Sequence, residues 1–349
     1  MIKIMEIILK KIQIIAEVGV NHNGDIEKAK EIIKLCSKMS VDFVKFQTFK
    51  TDELVTKNAE LTEYQKKELP KISSQMEMMR SLELNHDEFT ELYNFCNNLG
   101  ISFLTTAFDF DSARFVNKLG LEYCKISSGE INNFPLIDIL CQGHDKFIVS
   151  TGMATEDEIQ HVINFLYSRG KNNITLMHCV SEYPTPYDEM NLTVIKSLSD
   201  RFVLPVGLSD HSLGRHIPLA AVSMGAVVIE KHVTLDNSDV GPDHKSSLEI
   251  VEFEKMVKEI RDIENAMGNG VIGISTSELK NRDLVRKSIV SKTSISKGDY
   301  FTIENLTTKR PGTGLSGVHW FDLLNKKSKK SYKKDEMISI EEVWDINNQ

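Results

Sequence analysis

The chain is poor in cysteine and has no Cys-x-x-Cys pair. Cys36, Cys96, Cys124, Cys141 and Cys179 are scattered and odd in number, which points to a reducing, cytoplasmic compartment. No apolar run approaches the roughly 20 residues that a membrane helix needs. The N-terminal stretch MIKIMEIILKKIQIIAEVG is apolar, but Lys3, Glu6, Lys10 and Lys11 interrupt it and no small-residue cleavage site follows. It reads as a short tail leading into a first strand rather than as a signal peptide. Basic charge is not in excess either: 42 Lys and Arg stand against 50 Asp and Glu, a formal charge of -8, which gives no reason to expect nucleic acid. An anionic small substrate stays open, because local cations decide that. Internal repeats and long low-complexity tracts are missing, and no Gly-x-Gly-x-x-Gly follows the first strand.

What is present is an alternation. Short apolar runs at 14–16, 43–46, 102–104, 123–126, 147–149, 174–177, 204–207 and 227–229 are separated by stretches of helical period such as 26–39, 87–99, 156–167 and 217–224. Buried-type runs alternating with helices mean parallel strands joined by right-handed crossovers. Eight such units in about 220 residues predict a (β/α)8 barrel, a TIM barrel. An open doubly wound sheet is the alternative, but it normally has fewer strands. A last helix at about 248–267 carries Ile250, Phe253, Met256, Val257, Ile260 and Ile263 at helical spacing. The barrel is therefore placed at 1–270 and a Gly/Ser/Thr-rich linker at 271–285. A small separate domain is placed at 286–349, with short strands at 288–291 and 301–303 and a Lys-Gly-Asp turn between them.

The predicted strands turn polar at their C-terminal ends. Strand one ends with Glu17, strand two carries Lys45 and Gln47, strand three ends Thr105-Thr106, and strand four carries Lys125 and runs into Ser127-Ser128-Gly129-Glu130. Strand five ends with Ser150-Thr151, strand six with His178, strand seven leads to Ser209-Asp210-His211, and strand eight ends Glu230-Lys231-His232. Any one of these is more simply read as solvated or paired. Eight strands turning polar at the same end are another matter, since unpaired buried charges cost several kcal/mol each, and this is the end where barrel enzymes place their chemistry. Lys45 and Lys125, with Ser128, Ser150, Thr151 and glycine-rich turns, make a plausible phosphate and carboxylate site. His211 and His232 follow neighbouring strands, which lie about 4.8 Å apart, so their imidazoles can share one cation. Such a site suits Mn(II), Co(II) or Zn(II) better than Mg(II). The competing reading is that each histidine hydrogen-bonds a neighbouring loop. Strand eight adjoins strand one in a closed barrel, which brings Glu17 to the same point.

Nine ordered motifs carry a resemblance to a known family: AEVGVNHNGD (16–25), VKFQTFK (44–50), KISSGE (125–130), STGMAT (150–155), HCVSEYPTP (178–186), GLSDHSLG (207–214), EKHVTLD (230–236), GPDH (241–244) and KRPGTG (309–314). They resemble the N-acetylneuraminate (sialic acid) synthase family, over nearly the whole chain, and the tail from Arg286 resembles its antifreeze-like (SAF) domain. The resemblance implies condensation of phosphoenolpyruvate with N-acetylmannosamine and water, releasing phosphate. The alternative is a legionaminic or pseudaminic acid synthase acting on a 2,4-diacetamido-2,4,6-trideoxyhexose, and a second is a non-catalytic sugar- or ice-binding barrel. By motif, the metal ligands correspond to His211 and His232, with Mn(II) the expected ion and Mg(II) or Co(II) the alternatives. Phosphoenolpyruvate ligands correspond to Lys45, Thr106, Lys125, Ser128 and Ser150. Sugar contacts correspond to Gln47, Tyr183, Asp243 and Arg310, and Glu17 and Glu130 match two carboxylates associated with the reaction. The resemblance also implies a homodimer with swapped C-terminal domains, so that Arg310 reaches across to the partner. Ala107 stands where many relatives have Pro, and Ser181 where many have Asn, beside the sugar. By the resemblance alone, KRPGTG implies a free sugar rather than a 6-phosphate.

Overall fold

The computed structural model describes residues 11–344; the expected N-terminal tail before Lys11 lies outside the described residues. The chain divides into two compact units, one ending at Asn269 and one beginning at Gly270.

In the first unit, eight parallel strands follow one another in sheet order: β1 (Gln13–Gly19), β2 (Phe43–Thr48), β3 (Ser102–Ala107), β4 (Cys124–Ile126), β5 (Lys146–Ser150), β6 (Asn173–Cys179), β7 (Val206–Asp210) and β8 (Val228–Thr234). β8 pairs back onto β1, aligning Glu17 with His232, and the barrel is closed. A closed barrel exposes no sheet edge, which an open doubly wound sheet would. Most of the crossover helices are set by their ends. Helix Glu156–Ser168 starts in a capping box between Thr155 and Glu158, and helix His86–Leu99 in one between Asn85 and Glu88, ending where Gly100 turns left-handed at φ 71°.

The core has two shells. Outward-facing strand residues pack against the helices in one large cluster that includes Ile14, Val44, Phe103, Val149, Leu176 and Ile229. Inward-facing residues Ile15, Phe43, Leu104, Ile148, Met177 and Val228 fill the barrel's centre. The connection between β2 and helix His86–Leu99 is elaborated into three short helices, Thr51–Leu54, Glu63–Glu68 and Gln75–Leu82. It has an apolar cluster of its own, built on Val20, Phe49, Leu61, Leu69, Met78 and Leu82. Among the described residues no helix is long and apolar enough to cross a membrane.

The second unit pairs Ser288–Ser291 with Leu306–Lys309 as antiparallel strands and buries Ile289, Ile295, Phe301, Leu306, Leu315, Leu323, Tyr332 and Ile338. Two expectations change here. Residues 301–303 are not a strand: Phe301 is core, and the amide of Thr302 donates to Asn305 Oδ1 at 2.8 Å, turning the chain early. The expected linker is not irregular throughout, because Ser275 and Glu278 form a capping box that starts a helix, Thr276–Val285.

Candidate active site

The site follows from the two-residue repeat of a strand. Two residues beyond the inward apolar plug, every strand again points a side chain inward. These are Glu17, Lys45, Thr106, Lys125, Ser150, Cys179, Ser209 and Glu230, and all line one cavity of about 320 Å3 at the C-terminal end of the barrel. Two residues further on, Gln47, His211 and His232 line the same cavity, with Ser128, Tyr183 and Asp243 from the loops. A bulge in β1 after Glu17 lets this happen: Gly19 sits at φ +54°, and a Cβ there would come within 3.3 Å of Gln47 and His232.

The floor is an alternating charge cluster, buried throughout. Lys45 Nζ lies 2.8 Å from Glu17 Oε2 and 3.7 Å from Glu230, and Lys125 Nζ lies 3.8 Å from Glu230. Lys125 also donates to Ser150 Oγ at 2.7 Å, and Ser209 donates to Glu230 at 2.9 Å. Burial opposes both ammoniums. Lys45 is still held above its ordinary pKa, because Glu17 and Glu230 flank it. Lys125, with Glu230 as main counter-charge and Lys45 repelling it, is held below. Burial lifts Glu17 to about 7 against the pull of Lys45, whereas the two lysines overcome burial at Glu230 and keep it ionised. Thr106 Oγ1 is buried without a hydrogen-bond partner and points into this space.

Above the floor the two imidazoles stand with ring centres 5.5 Å apart. The carbonyl of Val180 accepts from His211 Nδ1 at 2.7 Å and orients the ring; burial opposes the charged form of His211, but Cys179 and this carbonyl hold its pKa above the ordinary value. His232 is held well below its ordinary pKa, first by burial and then by His211 and Lys45, so it is neutral. Its Nδ1 is buried without a hydrogen-bond partner, 3.9 Å from Asp243 Oδ2. A divalent ion binds the neutral form of each imidazole, the form in which His232 is already held. No group of three or more His, Cys, Asp or Glu among the described residues could hold an ion, so an ion here would draw its other ligands from water or substrate. The Tyr183 ring stacks on His211, ring centres 4.0 Å apart, and leans against Tyr64 at a tilt of 30°, ring centres 5.3 Å apart.

The outer face of the same strand ends is equally ordered. Lys231 and Asp210, each one residue from a histidine, pair at 2.6 Å with no side-chain exposure, and Lys231 also donates to the carbonyl of Ser212. They face the helices, not the cavity.

Of the predicted residues, Glu17, Lys45, Gln47, Thr106, Lys125, Ser128, Ser150, Tyr183, His211, His232 and Asp243 come together around this cavity. Glu130 does not join its wall; it is half-buried and accepts from Asn133 at 2.6 Å. Arg310 lies in the second unit, where its Nε donates to the carbonyl of Val285 at 2.9 Å. Thr151 and His178 are engaged by the carbonyls of Met177 and Met190. Glu230, Ser209 and Cys179 escaped the sequence-based assignment, although counting back two from His232 and His211, or on two from Met177, finds each of them. Tyr64, Met78 and Met79 lie in the β2 extension, and no periodicity signals them.

Residues 32–272 match the NeuB family, and residues 286–343 match the SAF domain. The chain belongs to the NeuB family. It is thus a synthase of the sialic, legionaminic and pseudaminic acid type, and the non-catalytic reading falls away. This NeuB-family chain is 47% identical over 332 residues to N,N'-diacetyllegionaminic acid synthase of Campylobacter jejuni, across 95% of this chain and 99% of the relative. It is 44% identical to the enzyme of the same name from Legionella pneumophila, across 87% and 86%. The crystal structure of the N-acetylneuraminic acid (sialic acid) synthetase of Leptospira borgpetersenii superposes with a TM-score of 0.70 at 32% identity, covering 78% of this chain and 90% of that one. These identities favour the legionaminic alternative over N-acetylmannosamine as the sugar.

Proposed function

We propose that this NeuB-family enzyme condenses phosphoenolpyruvate with a 2,4-diacetamido-2,4,6-trideoxyhexose and water, releasing phosphate and a legionaminic-type 2-keto acid. The observation that carries it is the junction, within one cavity, of two buried lysines and two imidazoles whose ring centres lie 5.5 Å apart. The lysines suit an anion with two charged ends. The imidazoles suit an ion beside an aldehyde. The identity to two legionaminic acid synthases supports the sugar.

In this reading Lys45 and Lys125, with Ser150, Ser128 and Thr106, hold the carboxylate and phosphate of phosphoenolpyruvate and stabilise charge on the departing phosphate. Carbon 3 bonds to the aldehyde carbon, water adds at carbon 2, and the carbon–oxygen bond to phosphate breaks to leave the ketone. Glu17, with a pKa of about 7, can take or return the proton of the attacking water or of a sugar hydroxyl. A divalent ion on His211 and His232, Mn(II) first, would supply Lewis-acid polarisation of the aldehyde oxygen when bound. Gln47, Tyr183 and Asp243 orient the sugar. Arg310, we infer from the family resemblance, serves the sugar from a partner chain's SAF domain.

The test is phosphate release from phosphoenolpyruvate against a panel of N-acetylated sugars, with metal stripped and then restored as Mn(II). Fastest release with the trideoxy sugar, and only with metal, is expected. Preference for N-acetylmannosamine would overturn the sugar, and full turnover in metal-free protein would overturn the ion.

A further inference from the structure

The polar cup accounts for phosphoenolpyruvate and for the reacting end of the sugar. Another part of the cavity wall has a different chemistry. It comes from the extension between β2 and helix His86–Leu99, which contributes Thr62, Tyr64, Gln65, Met78, Met79 and Leu82 to the lining and no ionisable carboxylate or amine. Gln65 is already engaged by its own segment: its Oε1 accepts from the amide of Thr62 at 2.9 Å, and its Nε2 donates to Tyr64 at 3.3 Å. Tyr64 leans on Tyr183. What faces the cavity from helix Gln75–Leu82 is thus apolar, and Val20 and Phe108 extend it.

The extension borders the histidine side of the cavity, where Tyr64 leans on Tyr183 and Tyr183 stacks on His211. A sugar with its aldehyde at the histidines, and phosphoenolpyruvate on the lysines, then has its far carbons within reach of the extension. A hydroxyl pressed against thioethers and a leucine gives up water without gaining a partner, whereas a methyl group there is favoured. We infer that Met78, Met79 and Leu82 form the selecting wall of the enzyme, receiving the methyl groups at the far end of a 6-deoxy, 4-acetamido sugar and disfavouring sugars with hydroxyls at those positions. This rests on the proposed function and names the element that makes its choice. The competing account is that the two methionines only pack the extension onto the barrel.

The experiment compares three sugars on the wild-type enzyme with Mn(II): the 2,4-diacetamido-2,4,6-trideoxyhexose, its counterpart with the 6-hydroxyl restored, and N-acetylmannosamine. It repeats the comparison on Met79→Gln and Met79→Leu. Restoring the 6-hydroxyl should lower kcat/KM roughly 10- to 100-fold, mostly through KM, as one group does in an apolar pocket. Met79→Gln should shrink that ratio to a few-fold and Met79→Leu should keep it, both with the KM for phosphoenolpyruvate unchanged. Equal kcat/KM for the 6-deoxy and 6-hydroxy sugars in wild type would overturn the wall without mutagenesis, and so would an unchanged ratio in Met79→Gln. Absence of phosphate release with either diacetamido sugar would instead overturn the functional reading, and the wall with it.

Discussion

Two tiers of the barrel interior, built by the same eight strands and one side-chain repeat apart, have opposite chemistry. The lower tier, Ile15, Phe43, Leu104, Ile148, Met177 and Val228, is wholly apolar. The upper tier, Glu17, Lys45, Thr106, Lys125, Ser150, Cys179, Ser209 and Glu230, holds four buried ionised or ionisable groups in mutual contact. The lower tier is the kind of packing that stabilises, since each buried aliphatic side chain contributes about 1.5–3 kcal/mol. The upper tier is the kind that costs stability, because desolvated ions recover their hydration only through one another. An apolar plug beneath a destabilising charge cluster is the expected division of labour for the proposed anion site, where little water reaches. The separation of roles can be attacked from either side.

The largest effect on stability should come from below. Ile148→Ala empties part of the plug and should lower unfolding free energy by about 2–5 kcal/mol in denaturant titration, while kcat of the folded enzyme stays within a few-fold. A catalytic loss without a stability loss would mean that the tiers are not separable. From above, Lys125→Met keeps the stem and removes the charge. It should reduce kcat/KM for phosphoenolpyruvate by on the order of 2–3 kcal/mol, close to a hundredfold. Unchanged kinetics would remove Lys125 from the anion site.

The outer face sharpens the comparison further. The pair of Asp210 and Lys231 braces the strand ends that carry His211 and His232. The double variant Asp210→Asn with Lys231→Met avoids stranding one buried charge. It should weaken Mn(II) binding, measured by calorimetry, about tenfold, with phosphoenolpyruvate binding unchanged; equal Mn(II) affinity would make the pair merely structural. An effect of similar size is expected from the second unit. Arg310→Ala should raise the KM for the sugar by about tenfold, the loss of one charged hydrogen bond, and spare that for phosphoenolpyruvate. Mixed with Lys125→Met chains it should regain activity in heterodimers, each chain supplying what the other lacks. No recovery, with heterodimers demonstrated, would confine the arginine to its own chain.

The sequence by itself determined the alternation of strands and helices and the polar turn at each strand's C-terminal end, because burial on both faces of a parallel strand and the capping of each helix write short-range patterns. Ser275 and Glu278 write one such pattern inside the Gly/Ser/Thr-rich stretch, a capping box that starts a helix. Only the tertiary structure decided which polar residues share the cavity. Glu230 and Lys231 are adjacent and equally buried, yet one completes the charged floor and the other faces the helices, a matter of strand orientation once the barrel closes. The pairing of β1 with β8 that sets Glu17 beside His232 spans more than two hundred residues of chain; it has no local signature and was legible only through the count of eight strands that implies closure. The same holds for Met78 and Met79, whose helix reads as an ordinary amphipathic turn until it folds over the barrel mouth. Periodicity is a property of neighbours along the chain, whereas a cavity wall is a property of neighbours in space.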